Sequence, residues 1–370
     1  MNSPSLAAIR LSHDNLEITE EIDYHATTVG HVLVGSGYLA ETDTFSNLGL
    51  GMAPGAGLIS GAIATSFSSE DFGAFDVSDA SIIGAYQPIF EGIMSGGELV
   101  KADVINSSWG GGDVSASSNL SLIIDGLARQ NANVALVIAA GNGGVEAVGA
   151  PASGFNNISV GSLGGSSFLE PSEFSSRGMS DFFIPDETGG VTISNARVAV
   201  DIAAPGESLF LAAYLGDSGS IGATTEPAIA GLIQEPSPTD QYFTSLDGTS
   251  YSAPIVAGGI ALLKDVAKRD SLLNHNDNPD AFDTRVVKSV IMAGARETNG
   301  WDNGQNAFNV TTQALDIQSG AGALDLEAAA DVYFFGTRDV NFALDNTILN
   351  VGWDAGTVDL SQQVDYVLNH

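Results

Sequence analysis

The stretch Gly248-Thr249-Ser250-Tyr251-Ser252-Ala253-Pro254 can do chemistry. A tight Gly-Thr turn delivers a serine to the start of an apolar, small-residue helix that continues through Ile255-Val256-Ala257-Gly258-Gly259. Proline is tolerated in a first helical turn, where its missing N–H has no intrahelical partner, so Pro254 helps to place the helix start. Ser250 then stands at or beside the N-cap, where unpaired N–H groups and the positive dipole end favour developing negative charge. That is an address for a nucleophile. On these residues alone it is equally the address of an ordinary serine cap in front of a buried helix.

A serine hydroxyl needs a base within hydrogen-bond reach, and histidine is the side chain poised for that near neutral pH. The chain has five histidines: His13, His25, His31, His275 and His370. His25 opens Ala26-Thr27-Thr28-Val29-Gly30, the start of an apolar helix, and projects from a helix end. His31 lies further along that helix and reads as a packed or partly solvated residue. His13 and His275 sit in polar stretches beside Asp14 and Asn276, and His370 is terminal. An oxyanion donor is the third requirement. Asn142 in Ala139-Ala140-Gly141-Asn142 follows a buried apolar run directly, although a turn-forming Asn after Gly is common.

These groups need a frame. Short apolar runs at Gly57–Ala62, Asp103–Ser107, Asn133–Ala140, Asn157–Ser162 and Val198–Ala203 read as buried parallel strands. Helical spacing lies between or before them, in Thr28–Gly37, Ser81–Met94 and Asn119–Gln130. The alternation predicts an α/β fold, a doubly wound and mostly parallel sheet with helices on both faces. Ligand and catalytic groups of such sheets gather past the carboxyl ends of the strands. Here those ends carry Ser107-Ser108-Trp109-Gly110, Gly141-Asn142-Gly143 and Pro205-Gly206. The Gly-, Ser-, Thr- and Pro-rich stretch Gly216–Ser245 reads as a long surface excursion. Short alternating runs (Val332–Phe335, Ala343–Val351, Gln363–Val367) predict a β-rich tail or further module over 332–370, after a main domain over 1–331.

At 370 residues, 44% hydrophobic and with 44 glycines, the chain has ample material for a core. No apolar run approaches the roughly 18 residues a membrane span needs. Without cysteine there are no disulfides, thiolate nucleophiles or Cys-based zinc sites. The 45 acidic against 12 basic residues give a net charge of −33, which argues against nucleic acid or an anionic membrane as a partner. It suits salty surroundings and leaves carboxylates for Ca²⁺.

Taken in order along the chain, the motifs resemble the subtilisin-like serine peptidases, the subtilase family. Gly248–Pro254 is similar to the family's Gly-Thr-Ser-x-x-x-Pro pattern, and Ala139–Asn142 to its oxyanion asparagine segment. His25–Gly30 is a looser likeness to its His-Gly-Thr-His-Val-Ala pattern, with Ala26 and Thr28 in place of a glycine and the second histidine. Gly51–Ala56, Val104–Gly111, Phe174–Gly178, Asp201–Gly206 and Gly320–Asp325 add to it, all in the family's order. The likeness spans roughly residues 20 to 330. An α/β-hydrolase is disfavoured, since no Gly-x-Ser-x-Gly elbow surrounds Ser250 and the histidine precedes the serine.

The resemblance implies a serine endopeptidase acting on proteins or peptides, with Ser250 as nucleophile, His25 as general base and acid, and Asn142 with the Ser250 N–H as oxyanion donors. It implies that Ser108, Trp109 and Gly110 offer an edge to an extended substrate and that Trp109 lines a subsite, with Gly141 beside it. The primary pocket then depends on how Ala150-Pro151-Ala152 and the Ala139–Gly141 backbone are placed. No cofactor is implied for catalysis. A structural Ca²⁺ is compatible with the family and the charge, with Asp277, Asp280 and Asp283 as candidates against the commoner reading of solvated loop carboxylates. The resemblance also implies secretion, although Met1–Ser5 shows no signal peptide.

The family's acid ends a first strand well before the histidine. Only Leu6–Leu11 and Ser12-His13-Asp14 precede His25 in any such pattern; Asp14 is the nearest imitation, and Asp23 is too close to His25. The expectation is therefore that the acid and its strand lie upstream of Met1. The alternative is a catalytically impaired subtilase-like peptide-binding or scaffold protein.

Overall fold

A computed structural model describes residues 8–11, 24–39, 44–68, 74–184, 189–212, 243–269, 279–308, 310–311, 313–334 and 353. The elements that position the site are, in chain order, β1 (Ala8–Leu11), α1 (Tyr24–Val34), β2 (Leu58–Gly61), α2 (Asp79–Glu91), β3 (Val104–Ser107), α3 (Asn119–Gln130), β4 (Ala135–Ala139), β5 (Ile158–Gly164), β6 (Met179–Ile184), β7 (Val191–Val198), β8 (Ile202–Pro205), α4 (Thr249–Arg269), α5 (Thr284–Ala293) and α6 (Leu326–Phe334). Strands β3, β4, β5 and β8 lie side by side in that order, all parallel, and Glu170–Pro171 adds a short antiparallel edge to the end of β5. The expected parallel α/β sheet is present.

Strand β4 shows why its sequence is apolar throughout. All five of its residues are buried, because both faces of the sheet are covered. Ala135, Val137 and Ala139 face a core shared with Ala253, Val256, Ala257 and Ile260 of α4 and Val287 and Ile291 of α5. Leu136 and Ile138 face the other core, with Ile82 and Phe90 of α2 and Ile124 and Ala128 of α3. The period of two assigns alternate residues to opposite layers. Helix α4 lies close against its neighbours: a Cβ at Gly258 would stand 2.4 Å from the Met52 Cβ. Met52 and Ala53 are themselves tied to α1 by N–H bonds to the Val32 and Leu33 carbonyls. The Gly51–Ala56 motif is thus the shim between α1 and α4.

Several expectations need correction. A first strand is present in this chain: Ala8–Leu11 pairs in parallel with β2, Ala8 opposite Leu58 and Leu11 opposite Gly61. Four residues with an arginine among them carry too weak an apolar signal to predict a strand, but a parallel neighbour supplies the ladder. Ser12–Asp14 and Asp23 lie outside the described residues. Strand β8 starts at Ile202, later than Val198, because the residues up to Val198 pair with β6 as a hairpin. Val332–Phe334 closes α6 as helix and not strand, with Tyr333 buried and its hydroxyl donating to the Ala281 carbonyl at 2.7 Å. Trp353 stacks on Tyr333 at 6.3 Å and donates its indole N–H to the Tyr333 carbonyl, so this residue of the tail packs on the main core. The other two tail runs are outside the described residues, Trp353 apart. So is most of Gly216–Ser245, whose last residues belong to a strand, Phe243–Leu246, paired with Leu209–Ala212.

The end of β7 and start of β8 are fixed by Asp201, which is 4% exposed. Its carboxylate accepts the Ser159 N–H at 2.8 Å and faces Lys288 at 2.7 Å and Arg197 at 3.7 Å. Removing one member of such a group strands the others. Asp201→Ala is expected to lower stability by about 3 kcal/mol, read from the urea midpoint at neutral pH, and a change under 1 kcal/mol would show the cluster to be incidental.

Candidate active site

Three consecutive residues at the entry to α4 are each held by the end of a different strand. Gly248 donates its N–H to the carbonyl of Gly206, just past β8, at 2.7 Å. Thr249, 1% exposed, accepts the Gly141 N–H past β4 on its hydroxyl at 3.1 Å and donates that hydroxyl to Asn142 Oδ1 at 2.9 Å. Ser250 meets Ser108, just past β3.

The Ser250–Ser108 contact follows from Pro254, which is the sixth residue of α4 and not in its first turn. Proline has no N–H to give the carbonyl four residues earlier, and that carbonyl belongs to Ser250. The Ser108 hydroxyl takes the place of the missing donor at 2.7 Å. The Ser250 hydroxyl in turn points back to the Ser108 carbonyl at a long 3.5 Å, a weak contact that leaves it easy to redirect. Ser108 is itself 9% exposed and also accepts from the Asn106 side chain at 3.0 Å. Its side chain therefore serves the helix.

Asn142 is exposed, yet its amide is oriented. Its Oδ1 accepts both the Thr249 N–H, at 3.0 Å, and the Thr249 hydroxyl. With the oxygen so engaged, the NH₂ end is turned out as a donor. A point at the Cβ position of Gly248 lies 3.6 Å from Asn142 Nδ2 and 3.7 Å from the Ser250 nitrogen. The two donors flank one shared space, and the Ser250 N–H, in the first turn of α4, has no intrahelical acceptor. Gly248 has φ +154°, where a side chain is strained, and any side chain there would enter that space. The loop is braced from behind: Ser176 donates its N–H to the Gly141 carbonyl at 2.9 Å and accepts the Gly143 N–H on its hydroxyl at 3.0 Å.

His25 is the second residue of α1, and its ring lies 6.0 Å from that of Tyr251, the residue after Ser250. Val29 and Val32 of α1 pack with buried Tyr251, which fixes the helix start carrying His25 against the helix start carrying Ser250. His31 is partly buried along α1, and burial lowers its pKa. The structure thus sets Asn142 against the turn that carries Ser250, and His25 beside Tyr251, the next residue.

Trp109 is placed differently from an open subsite wall. Its indole N–H donates to the Tyr86 hydroxyl at 3.0 Å, and it packs against the α2–α3 core. Burial pushes the Tyr86 phenol up to about 12, with the Ser107 and Trp109 bonds acting the other way, so it stays neutral. Gly110 is exposed, and Gly111 bonds to the Ala150 carbonyl at 2.8 Å. The strip 108–111 therefore runs beside buried Ala150 and Ala152. Among the described residues no three carboxylates or imidazoles come together. Asp283 caps α5 and faces the Arg285 guanidinium with both oxygens, Asp280 is exposed, and Asp277 is outside the described residues, so this cluster does not form a described Ca²⁺ cage.

The sequence profile of the subtilase family matches residues 9–310. The chain belongs to the subtilase family. It is accordingly a serine endopeptidase by family, and its fold agrees. The maturation protease PagA of prenylagaramide superposes with a TM-score of 0.52 at 22% identity, over 88% of this chain and 86% of that one. The self-cleaved protease domain of PatA gives 0.52 at 21%, over 89% of each. Fervidolysin from Fervidobacterium pennivorans, a keratinolytic enzyme related to subtilisin, gives 0.51 at 20%, over 83% of this subtilase and 36% of that chain. No curated protein matches in sequence.

Two residues of the subtilase site escape sequence reasoning. Thr249 reads as part of a turn, and only the fold reveals that its hydroxyl sets the Asn142 amide. Ser108 reads as substrate edge; the signal for its other role is Pro254, whose missing N–H demands a donor for the Ser250 carbonyl. Thr249→Val keeps the shape and removes that hydroxyl. It is expected to lower kcat about fivefold with KM nearly unchanged, since loss of one bond that orients Asn142 costs about 1 kcal/mol. Steady-state kinetics on a peptide substrate decide it, and an unaltered kcat would remove Thr249 from the site.

The loop after Gly110 carries a pH signature. Partial burial raises the Asp113 carboxyl, but bonds from Ser115 and Ser118 outweigh it and hold it at about 2. A carboxyl depressed in the fold adds stability above its unfolded value of about 3.8, and this fades as pH falls towards 2. After screening at this half-exposed site the effect is about 1 kcal/mol or less. Urea midpoints of wild type and Asp113→Asn should converge between pH 5 and 2.5; parallel curves would contradict it.

Proposed function

We propose that this subtilase hydrolyses peptide bonds through an acyl-enzyme on Ser250. The Ser250 Oγ attacks the scissile carbonyl carbon while His25 takes its proton. Charge on the carbonyl oxygen is met by Asn142 Nδ2 and the Ser250 N–H, and collapse expels the amine, which receives the proton from His25. Water then repeats the sequence to release the acid. The observation that supports this reading is that Asn142 Nδ2 and the Ser250 nitrogen both lie within 3.7 Å of one point, the Cβ position of Gly248. An extended peptide would lie along Ser108–Gly110 by backbone pairing, with Gly141 at its side. We place the protein outside the cell, where a net charge of −33 is screened by salt.

A second reading, a peptide-binding subtilase without turnover, rests on the acid. Strand β1 ends at Leu11, and Asp14 stands three residues later in sequence, outside the described residues. A fluorophosphonate probe should label the wild type and fail on Ser250→Ala; a folded wild type that resists labelling excludes the peptidase mechanism. In subtilisin, loss of the acid costs roughly 10⁴-fold in kcat, against roughly 10⁶-fold for the serine or histidine. A fall of the former size in Asp14→Ala assigns the acid to this residue, and an unchanged rate excludes Asp14.

A further inference from the structure

Helix α4 has a second anchor far from its serine. Lys264, fourteen residues beyond Ser250, is 1% exposed. Its Nζ donates to the carbonyl of Asp103 at 3.0 Å and to that of Asn133 at 2.8 Å. Asp103 immediately precedes β3, and Asn133 lies two residues before β4. The far ends of the same two strands hold Ser108 and Asn142. Lys264 therefore grips the start of the strands whose ends grip Ser250 and Thr249.

The lengths agree. Fourteen helical residues span ~21 Å, and the five steps from Asp103 to Ser108 span ~17 Å. A helical side chain leans back towards the helix N-terminus, which closes most of that ~4 Å difference. The helix is thus pinned along the sheet at two points about a sheet's depth apart.

A buried ammonium is a costly way to fill this space, and an apolar side chain of equal length would pack there without loss of charge hydration. Burial is felt by the group itself: it lowers the Lys264 pKa to about 8, with Asp103 pulling the other way. What an ammonium supplies and a hydrocarbon does not is a fixed position along the strands, because directional bonds to two carbonyls resist sliding and dispersion contacts do not.

We propose that Lys264 is a positioning residue of the catalytic helix, setting how far α4 is drawn along β3 and β4 and hence the height of Ser250 relative to Asn142. This rests on the acyl-enzyme reading above. The experiment is steady-state kinetics on Lys264→Met, with the concentration of competent sites fixed by fluorophosphonate titration and folding followed by thermal melting. The expected result is a kcat per titrated serine lowered about tenfold or more, a probe-labelling rate lowered in parallel, and a KM within about twofold of wild type. Lys268→Met removes the surface partner of the same Asp103 and should leave kcat unchanged. If Lys264→Met does not fold, Lys264→Gln, which keeps an amide donor, is expected to show the same kcat loss in smaller measure.

A folded Lys264→Met or Lys264→Gln variant with wild-type kcat per titrated serine, whatever its melting temperature, would overturn the proposal and leave Lys264 a core residue only. So would an equal loss in Lys268→Met. A wild type that neither labels nor turns over would overturn the acyl-enzyme reading instead, so the two failures are distinct.

Discussion

The site depends on one constraint: Gly248, Thr249 and Ser250 are gripped in succession by the ends of β8, β4 and β3. Parallel strands end at one edge of a sheet with their last carbonyls and N–H groups unpaired. A helix that starts above this edge has the opposite shortage, of acceptors for its first N–H groups. The turn answers both, so Ser250 and Asn142, the groups of the proposed mechanism, are held by residues that are already part of the fold. Pro254 sharpens this, since the donor it lacks is supplied by Ser108 from the neighbouring strand end.

The core arrangement makes that grip rigid. Strand β4 is buried on both faces, with alternate residues in two separate cores. A displacement of α4 would have to repack the face formed by Ala135, Val137 and Ala139. The Gly141–Asn142 loop is held from the opposite side by Ser176, whose chain leads on to Arg177. Arg177 donates to the Ser172, Glu173 and Ser175 carbonyls and to Gln318. Asn142 is thus exposed yet braced at its base, which is what a preorganised donor requires.

The site's charge environment is uneven. The chain is strongly acidic overall, yet the hydrogen bonds described for the Ser250 and Asn142 side chains are to neutral groups of Ser108 and Thr249. The buried charges are set back from them. Asp201 with Lys288 and Arg197 lies at the start of β8, and Lys264 lies at the start of β3 and β4.

The sequence by itself determined the alternation of strands and helices and the family, and it named Ser250, Asn142 and His25 as the candidates. Long apolar runs between glycines and motifs in a fixed order are local signals that survive without coordinates. Helix Asn119–Gln130 is read to the residue, because a 3.6-residue apolar period runs between Ser118, which caps its start, and Asn131, which caps its end. Strand β1 was not legible, since four residues with a weak apolar signal become a strand only beside β2. Val332–Phe334 misled for a related reason: a short apolar run suits either strand or helix until packing on Ala281 chooses. Only the tertiary structure decided what Thr249, Ser108 and Lys264 do. Each acts through a partner more than a hundred residues away, and no local pattern encodes a hydrogen bond across that separation.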